Sequence, residues 1–273
     1  ERAWLGGGAG YFNAPTAALS PEASPETREA FVDFERRLLW HKDRIFAGEP
    51  FPYVAQSHAQ WYVSSVYPNG GDLAASYLPE EQYLKQMKAR QYAPPAEVGG
   101  EAYPYQRTSG GSGVYLRHTW GDICYGLIPN ASENSTVYAT AWVHSDAATT
   151  AGLIFETQNY SRSEADVAPQ QGTWDYKGSR LWVNGEAIAP PRWQNAVGQR
   201  NIDLPLANEN AASRPPLQIQ LQKGWNQILI KLPIGRFTIP EIRLNKWMFA
   251  AAITTPDGSK ALPNLQYAKP SLK

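Results

Sequence analysis

Leu217-Gln218-Ile219-Gln220-Leu221-Gln222-Lys223-Gly224-Trp225-Asn226-Gln227-Ile228-Leu229-Ile230-Lys231-Leu232 carries the strongest structural signal in the chain. Leu217, Ile219 and Leu221 alternate with glutamines, the period of a half-buried strand, and alternation resumes after Gly224. The expected structure is a hairpin. Gly224 permits the tight turn, and Trp225 covers one end of the core. A second stretch, Ser179-Arg180-Leu181-Trp182-Val183-Asn184-Gly185-Glu186-Ala187-Ile188, runs an apolar strand into Asn-Gly. Both residues of that dipeptide tolerate positive φ, which a type I′ hairpin turn requires.

Further strands are expected over 60–67, 113–120, 136–144, 149–158 and 246–255, separated by Gly and Pro clusters. Residues 80–92 are ambiguous. Glu80-Glu81 reads as a helix start, but a strand around Tyr83 to Tyr92 is the preferred reading. One helix is expected from Glu26 to Phe46, opened by Ser24-Pro25 and closed by Gly48. Its apolar face holds Phe31, Leu38 and Ile45, and Trp40 lies opposite, so the helix should sit between two bodies. The fold class is therefore mainly β: an antiparallel β-sandwich or jelly roll preceded by a short helical segment.

Composition narrows function. Lys plus Arg is 25 and Asp plus Glu is 25, giving zero formal charge in 273 residues, and no basic run occurs. Nucleic acid is not an expected partner. The longest apolar run, Trp247 to Ile253, is far too short for a membrane span. The single cysteine, Cys124, excludes an internal disulfide and reads as a small core residue between Ile123 and Tyr125.

Catalytic constellations are sparse. His41, His58, His118 and His144 lack metal-type spacing, so no metal and no cofactor are expected. Asp146, Glu156, Glu164, Asp166 and Asp175 are scattered carboxylates of the kind glycoside hydrolysis uses in pairs, and the preferred reading of them is solvated strand ends and loops. Rings outside the strand patterns are better candidates for a site. Trp174, Tyr176 and Trp193 lie in polar, Pro-rich segments. Open faces there would bind the apolar side of a pyranose; folded back, the same rings would be lids on the core.

The Asn-Gly hairpin followed by Leu221-Gln222-Lys223-Gly224-Trp225-Asn226 resembles the galactose-binding-like accessory domain attached to many bacterial glycosidases. Glu1-Arg2-Ala3-Trp4 is similar to the sequence that closes the catalytic barrel of glycoside hydrolase family 20, the β-N-acetylhexosaminidases. Phe34 to Lys42, Tyr115 to Gly121, Gln158 to Glu164 and Lys246 to Phe249 resemble segments of Bacteroidetes members. The resemblance implies that residues 1–55 end a catalytic barrel and that 56–273 form the accessory sandwich. That family uses an adjacent Asp-Glu pair, and no Asp-Glu dipeptide occurs here, so no catalytic residue carries over. The implied role is non-catalytic support of a hexosaminidase barrel in the same polypeptide, outside the cytoplasm. The alternatives are a stand-alone glycan-binding module and a purely structural interaction domain.

Overall fold

The computed structural model describes residue 25 and residues 60–90, 97–98, 101–102, 107–110, 113–117, 126–157, 169–192, 216–240 and 247–267. The expected helix over 26–46, the segment 1–24, Cys124, His41, His58 and His118 lie outside them.

The described residues form two large antiparallel sheets and one small ribbon. The larger contains β1 (Gln60–Val63), β2 (Tyr67–Pro68), β5 (Arg107–Gly110), β7 (Ser135–Ser145), β9 (Arg180–Val183), β10 (Glu186–Ala187), β12 (Gly224–Ile234) and β14 (Leu265–Tyr267). Its order is β10-β9-β12-β7-β1-β5, with β2 and β14 also pairing with β7. The smaller runs β11 (Leu217–Leu221), β8 (Thr149–Glu156), β13 (Trp247–Thr254), β6 (Gly113–Arg117). A separate two-stranded ribbon joins β3 (Glu97–Val98) to β4 (Glu101–Ala102).

Period-two patterning explains how the sheets meet. Val137, Ala139, Ala141 and Val143 of β7 and Ile228, Ile230, Leu232 and Ile234 of β12 face Leu153, Phe155, Phe249, Ala251 and Ile253 of the smaller sheet in one buried cluster. Trp247 spans this core: its indole Nε1 donates to the Leu232 carbonyl of the opposite sheet at 3.0 Å. The long β7–β12 ladder runs from Gly224 opposite Ser145 to Ile234 opposite Ser135. Pro233 is tolerated in it because β9, the other neighbour of β12, ends at the Arg180–Lys231 pair.

Two expectations need correction. The Leu217–Leu232 stretch is not a hairpin, because β11 belongs to the smaller sheet and β12 to the larger. From β5 to β14 the chain changes sheet at every step except the β9–β10 turn. At the crossing, the Asn226 side chain supplies what a ladder partner would. Its Oδ1 accepts from the Gln222 N–H at 2.8 Å, and its Nδ2 donates to the Gln222 carbonyl at 2.9 Å and the Gly224 carbonyl at 3.0 Å. Trp225 consequently lies outside the core, edge-on to its cross-strand neighbour His144.

The second correction is α1, a helix over Leu78–Lys88 where a strand is the preferred sequence reading. Acids Glu80 and Glu81 sit in its first turn and Lys85 and Lys88 in its last, each favourable to the helix dipole. Tyr83 and Met87, one turn apart, are buried against Tyr138, Trp182 and Leu229 on the outer face of the larger sheet. The Tyr83–Met87 spacing serves a helical face, which two-residue alternation conceals.

Asn184-Gly185 forms the expected two-residue turn, with φ of 52° and 82° and Val183 opposite Glu186. It also abuts α1: a Cβ on Gly185 would stand 2.6 Å from the Lys88 Cγ and 3.0 Å from the Leu84 carbonyl oxygen. Asn184 Nδ2 donates to Asn226 Oδ1 at 2.8 Å, and the Gln227 N–H donates to Asn184 Oδ1 at 3.0 Å. The two stretches that stand out in the sequence therefore join through their asparagines.

Candidate ligand cleft

Beside the β9–β10 edge, the 170–179 loop leaves a cleft of about 810 Å³. Trp174, Tyr176, Trp182, Leu73 and Pro190 contribute its apolar surface, and Arg180 and Asp175 also line it. This volume lies within the ordinary range for small-molecule sites.

The loop that forms one wall is fixed from beneath by charge. Asp175 Oδ1 accepts from the N–H groups of Lys177 at 2.8 Å and Ser179 at 3.1 Å, and Oδ2 accepts from the Ser179 hydroxyl at 2.6 Å. Lys177 Nζ lies 3.4 Å from Asp175 Oδ2 and donates to the Thr157 carbonyl at 2.7 Å. The side chains of both are essentially inaccessible, at 1% and 0% exposure. Truncating either ion would leave its partner buried and uncompensated, so the wall is held rigidly.

Trp174 and Tyr176, candidates from the sequence, come together here. Trp174 is only 5% exposed and meets Phe155 edge to face at 4.9 Å, so it is a lid on the core and opens no broad face. Tyr176 is half-buried. Trp193 lies outside the described residues. Sequence reasoning missed Arg180 as a cleft residue, and Trp182, which reads as a core ring and is 5% exposed, lines the cleft as well. Their alternation with buried Leu181 and Val183 places both on the outer side of β9, a signal legible in the strand itself. Arg180 is exposed.

The scattered carboxylates do not converge among the described residues. Asp146 is exposed, 3.5 Å from His144 Nδ1; Glu156 is buried at the end of β8; Asp175 is committed to Lys177 and Ser179. Glu164 and Asp166 lie outside the described residues. A second buried ion pair, Lys231–Glu80 at 3.0 Å, joins β12 to α1, and the Tyr138 hydroxyl donates to Glu80 Oε2 at 2.8 Å. No group of three or more His, Cys, Asp or Glu suited to a metal occurs among the described residues. No described helix is long and apolar enough to cross a membrane.

The architecture and cleft define an antiparallel β-sandwich with a small-molecule-sized recess at one sheet edge. Comparison with protein-family models and with curated proteins finds no match to the chain.

Proposed function

We propose that this chain is the non-catalytic C-terminal part of a β-N-acetylhexosaminidase, with the sandwich packing on and supporting a catalytic barrel of the same polypeptide. The parent enzyme would remove terminal N-acetylhexosamine from glycans outside the bacterial cytoplasm. The resemblance of Glu1-Arg2-Ala3-Trp4 to a barrel end and of the Asn184-Gly185 and Lys223-Gly224-Trp225-Asn226 stretches to an accessory jelly roll motivates this reading.

The observation that carries it is the employment of buried charge. Glu80 and Asp175 are each paired with a lysine and hydrogen-bonded to a hydroxyl, Glu80 joining α1 to the sheet and Asp175 holding the 175–179 loop. Carboxylates tied in this way serve as structural ties. Acid–base hydrolysis instead needs two carboxyl groups facing one substrate bond.

The test has two measurements. The purified chain is expected to release nothing above blank from an aryl N-acetylglucosaminide, and the coding sequence upstream of Glu1 is expected to specify a barrel carrying an Asp-Glu pair. Turnover that survives repurification and disappears on a point substitution within this chain would overturn the non-catalytic role. An upstream sequence lacking such a barrel would overturn the assignment to this enzyme class.

A further inference from the structure

We propose that the cleft beside β9–β10 binds a carboxylate-bearing pyranose, such as the uronic acid end of an acidic glycan. The inference goes beyond the barrel-supporting role and does not depend on it.

Three observations carry it. The recess has the size of a single small ligand, about 810 Å³, and most of its surface is apolar, with Leu73, Tyr176, Ile188 and Pro190 in its lining. A sugar ring presents an apolar C–H face to such a surface without needing a broad stacking platform, which the burial of Trp174 and Trp182 does not offer. Next, the wall is preorganised. Asp175, Lys177 and Ser179 form a buried, mutually hydrogen-bonded frame, so little ordering remains to be done when a ligand enters.

The charge of the recess selects the ligand. Among the described residues that line it, Asp175 and Arg180 are the charged ones, and the Asp175 side chain is itself inaccessible. Asp175 is neutralised by Lys177. Arg180 is exposed on β9, opposite Lys231 in the ladder, and Lys231 is itself paired with Glu80. Among the described residues of the cleft no carboxylate is left to compensate the guanidinium of Arg180, and its planar fork matches a carboxylate bidentately. Apolar surface with one guanidinium at its border is complementary to a ring that carries one carboxylate.

The test titrates the full chain with methyl glucuronoside and methyl glucoside, followed by NMR shifts of the tryptophan indole N–H groups, with benzoate and sulfate as further probes. The glucuronoside should bind with a dissociation constant of about a millimolar, and the glucoside about tenfold more weakly, the difference one charge-assisted contact contributes. Arg180→Gln should bring the glucuronoside down to the level of the glucoside, while Tyr176→Ala should weaken both. Arg180 is exposed, so Arg180→Gln should leave the melting temperature unchanged and remains decisive should Tyr176→Ala fold poorly. Equal or absent binding of the two glycosides, or an unchanged glucuronoside titration in Arg180→Gln, would overturn the proposal. Benzoate binding as tightly as the glucuronoside would overturn the sugar as ligand, and sulfate binding as tightly would reduce the site to an anion contact.

Discussion

At its central strands, β7 and β12, the larger sheet is buried on both faces, yet the two faces are built in different ways. The inner face is a continuous apolar layer against the smaller sheet, crossed by the Trp247–Leu232 hydrogen bond. The outer face, under α1, mixes Tyr138, Trp182 and Leu229 with a charged cluster of Lys231, Glu80 and the Tyr138 hydroxyl. Lys231 also donates to the Ala74 carbonyl at 3.3 Å. Apolar layers are non-directional and tolerate sliding, whereas a buried ion pair demands one geometry. The inner face thus supplies most of the cohesion, and the outer face fixes where the helix sits. β7 and β12 serve both roles by alternation, Ile230 inward and Lys231 outward one residue apart.

The contrast breaks most visibly at Trp247. Trp247→Ala should destabilise the domain by about 5 kcal/mol, the upper end for a large core truncation, because it also removes the indole hydrogen bond to the Leu232 carbonyl. Chemical denaturation measures this directly; a loss of about 1 kcal/mol would mean the sheets close over the gap. On the outer face, Lys231→Met should cost about 3–4 kcal/mol by stranding buried Glu80. Adding Glu80→Gln should recover a large part of that loss, since removing both charges relieves the stranded one. Additive losses in the double variant would show that the two side chains act independently.

The inner face was legible in the sequence because strand burial repeats every second residue: β8, β9, β11 and β13 fall within the segments expected to be strands, and β7 and β12 run one or two residues beyond theirs at each end. Sheet membership was not legible. Leu221 and Ile228 turn inward whether their strands pair as neighbours or face each other across the core, so alternation alone cannot separate the two. The helix α1 was missed because only Glu80, Tyr83 and Met87 of its described side chains are buried, too few to reveal a helical period among polar neighbours. The cleft was half legible: loop aromatics drew attention to Trp174 and Tyr176, while Arg180 was read as an ordinary strand position and Trp182 as a core ring.

Glycine sharpens the comparison at the next scale down. Gly185 and Gly70 both follow asparagine and both have positive φ, 82° and 61°. A Cβ at Gly70 would meet nothing within 4 Å, whereas one at Gly185 would press on the helix at Lys88 and Leu84. Gly70→Ala should therefore cost only the backbone penalty, about 1 kcal/mol, and Gly185→Ala about 2–3 kcal/mol because α1 must shift as well. Equal losses would mean that α1 yields freely and that the outer face is not a fixed seat.

The smallest effect concerns pH and belongs to the outer face alone. Burial, reinforced by the Glu80 carboxylate, pushes the Tyr138 phenol above its ordinary value of 10.0. A group whose folded pKa is raised keeps its contribution below the unfolded value and loses it as pH climbs toward the folded one. Below pH 10.0 the phenol is protonated in both states and donates to Glu80 in the fold, so its contribution is constant there. Above that point the unfolded chain loses the proton while the folded chain retains it, and stability falls by up to about 1.4 kcal/mol per pH unit from this group. Other tyrosines titrate in the same range, so the informative quantity is the wild-type curve minus that of Tyr138→Phe. Tyr138→Phe should be less stable than wild type near neutral pH, by about 1–2 kcal/mol for the lost charge-assisted hydrogen bond, and the gap should narrow steadily on the alkaline side. A gap that stays constant through the alkaline range would show that Tyr138 titrates alike in both states.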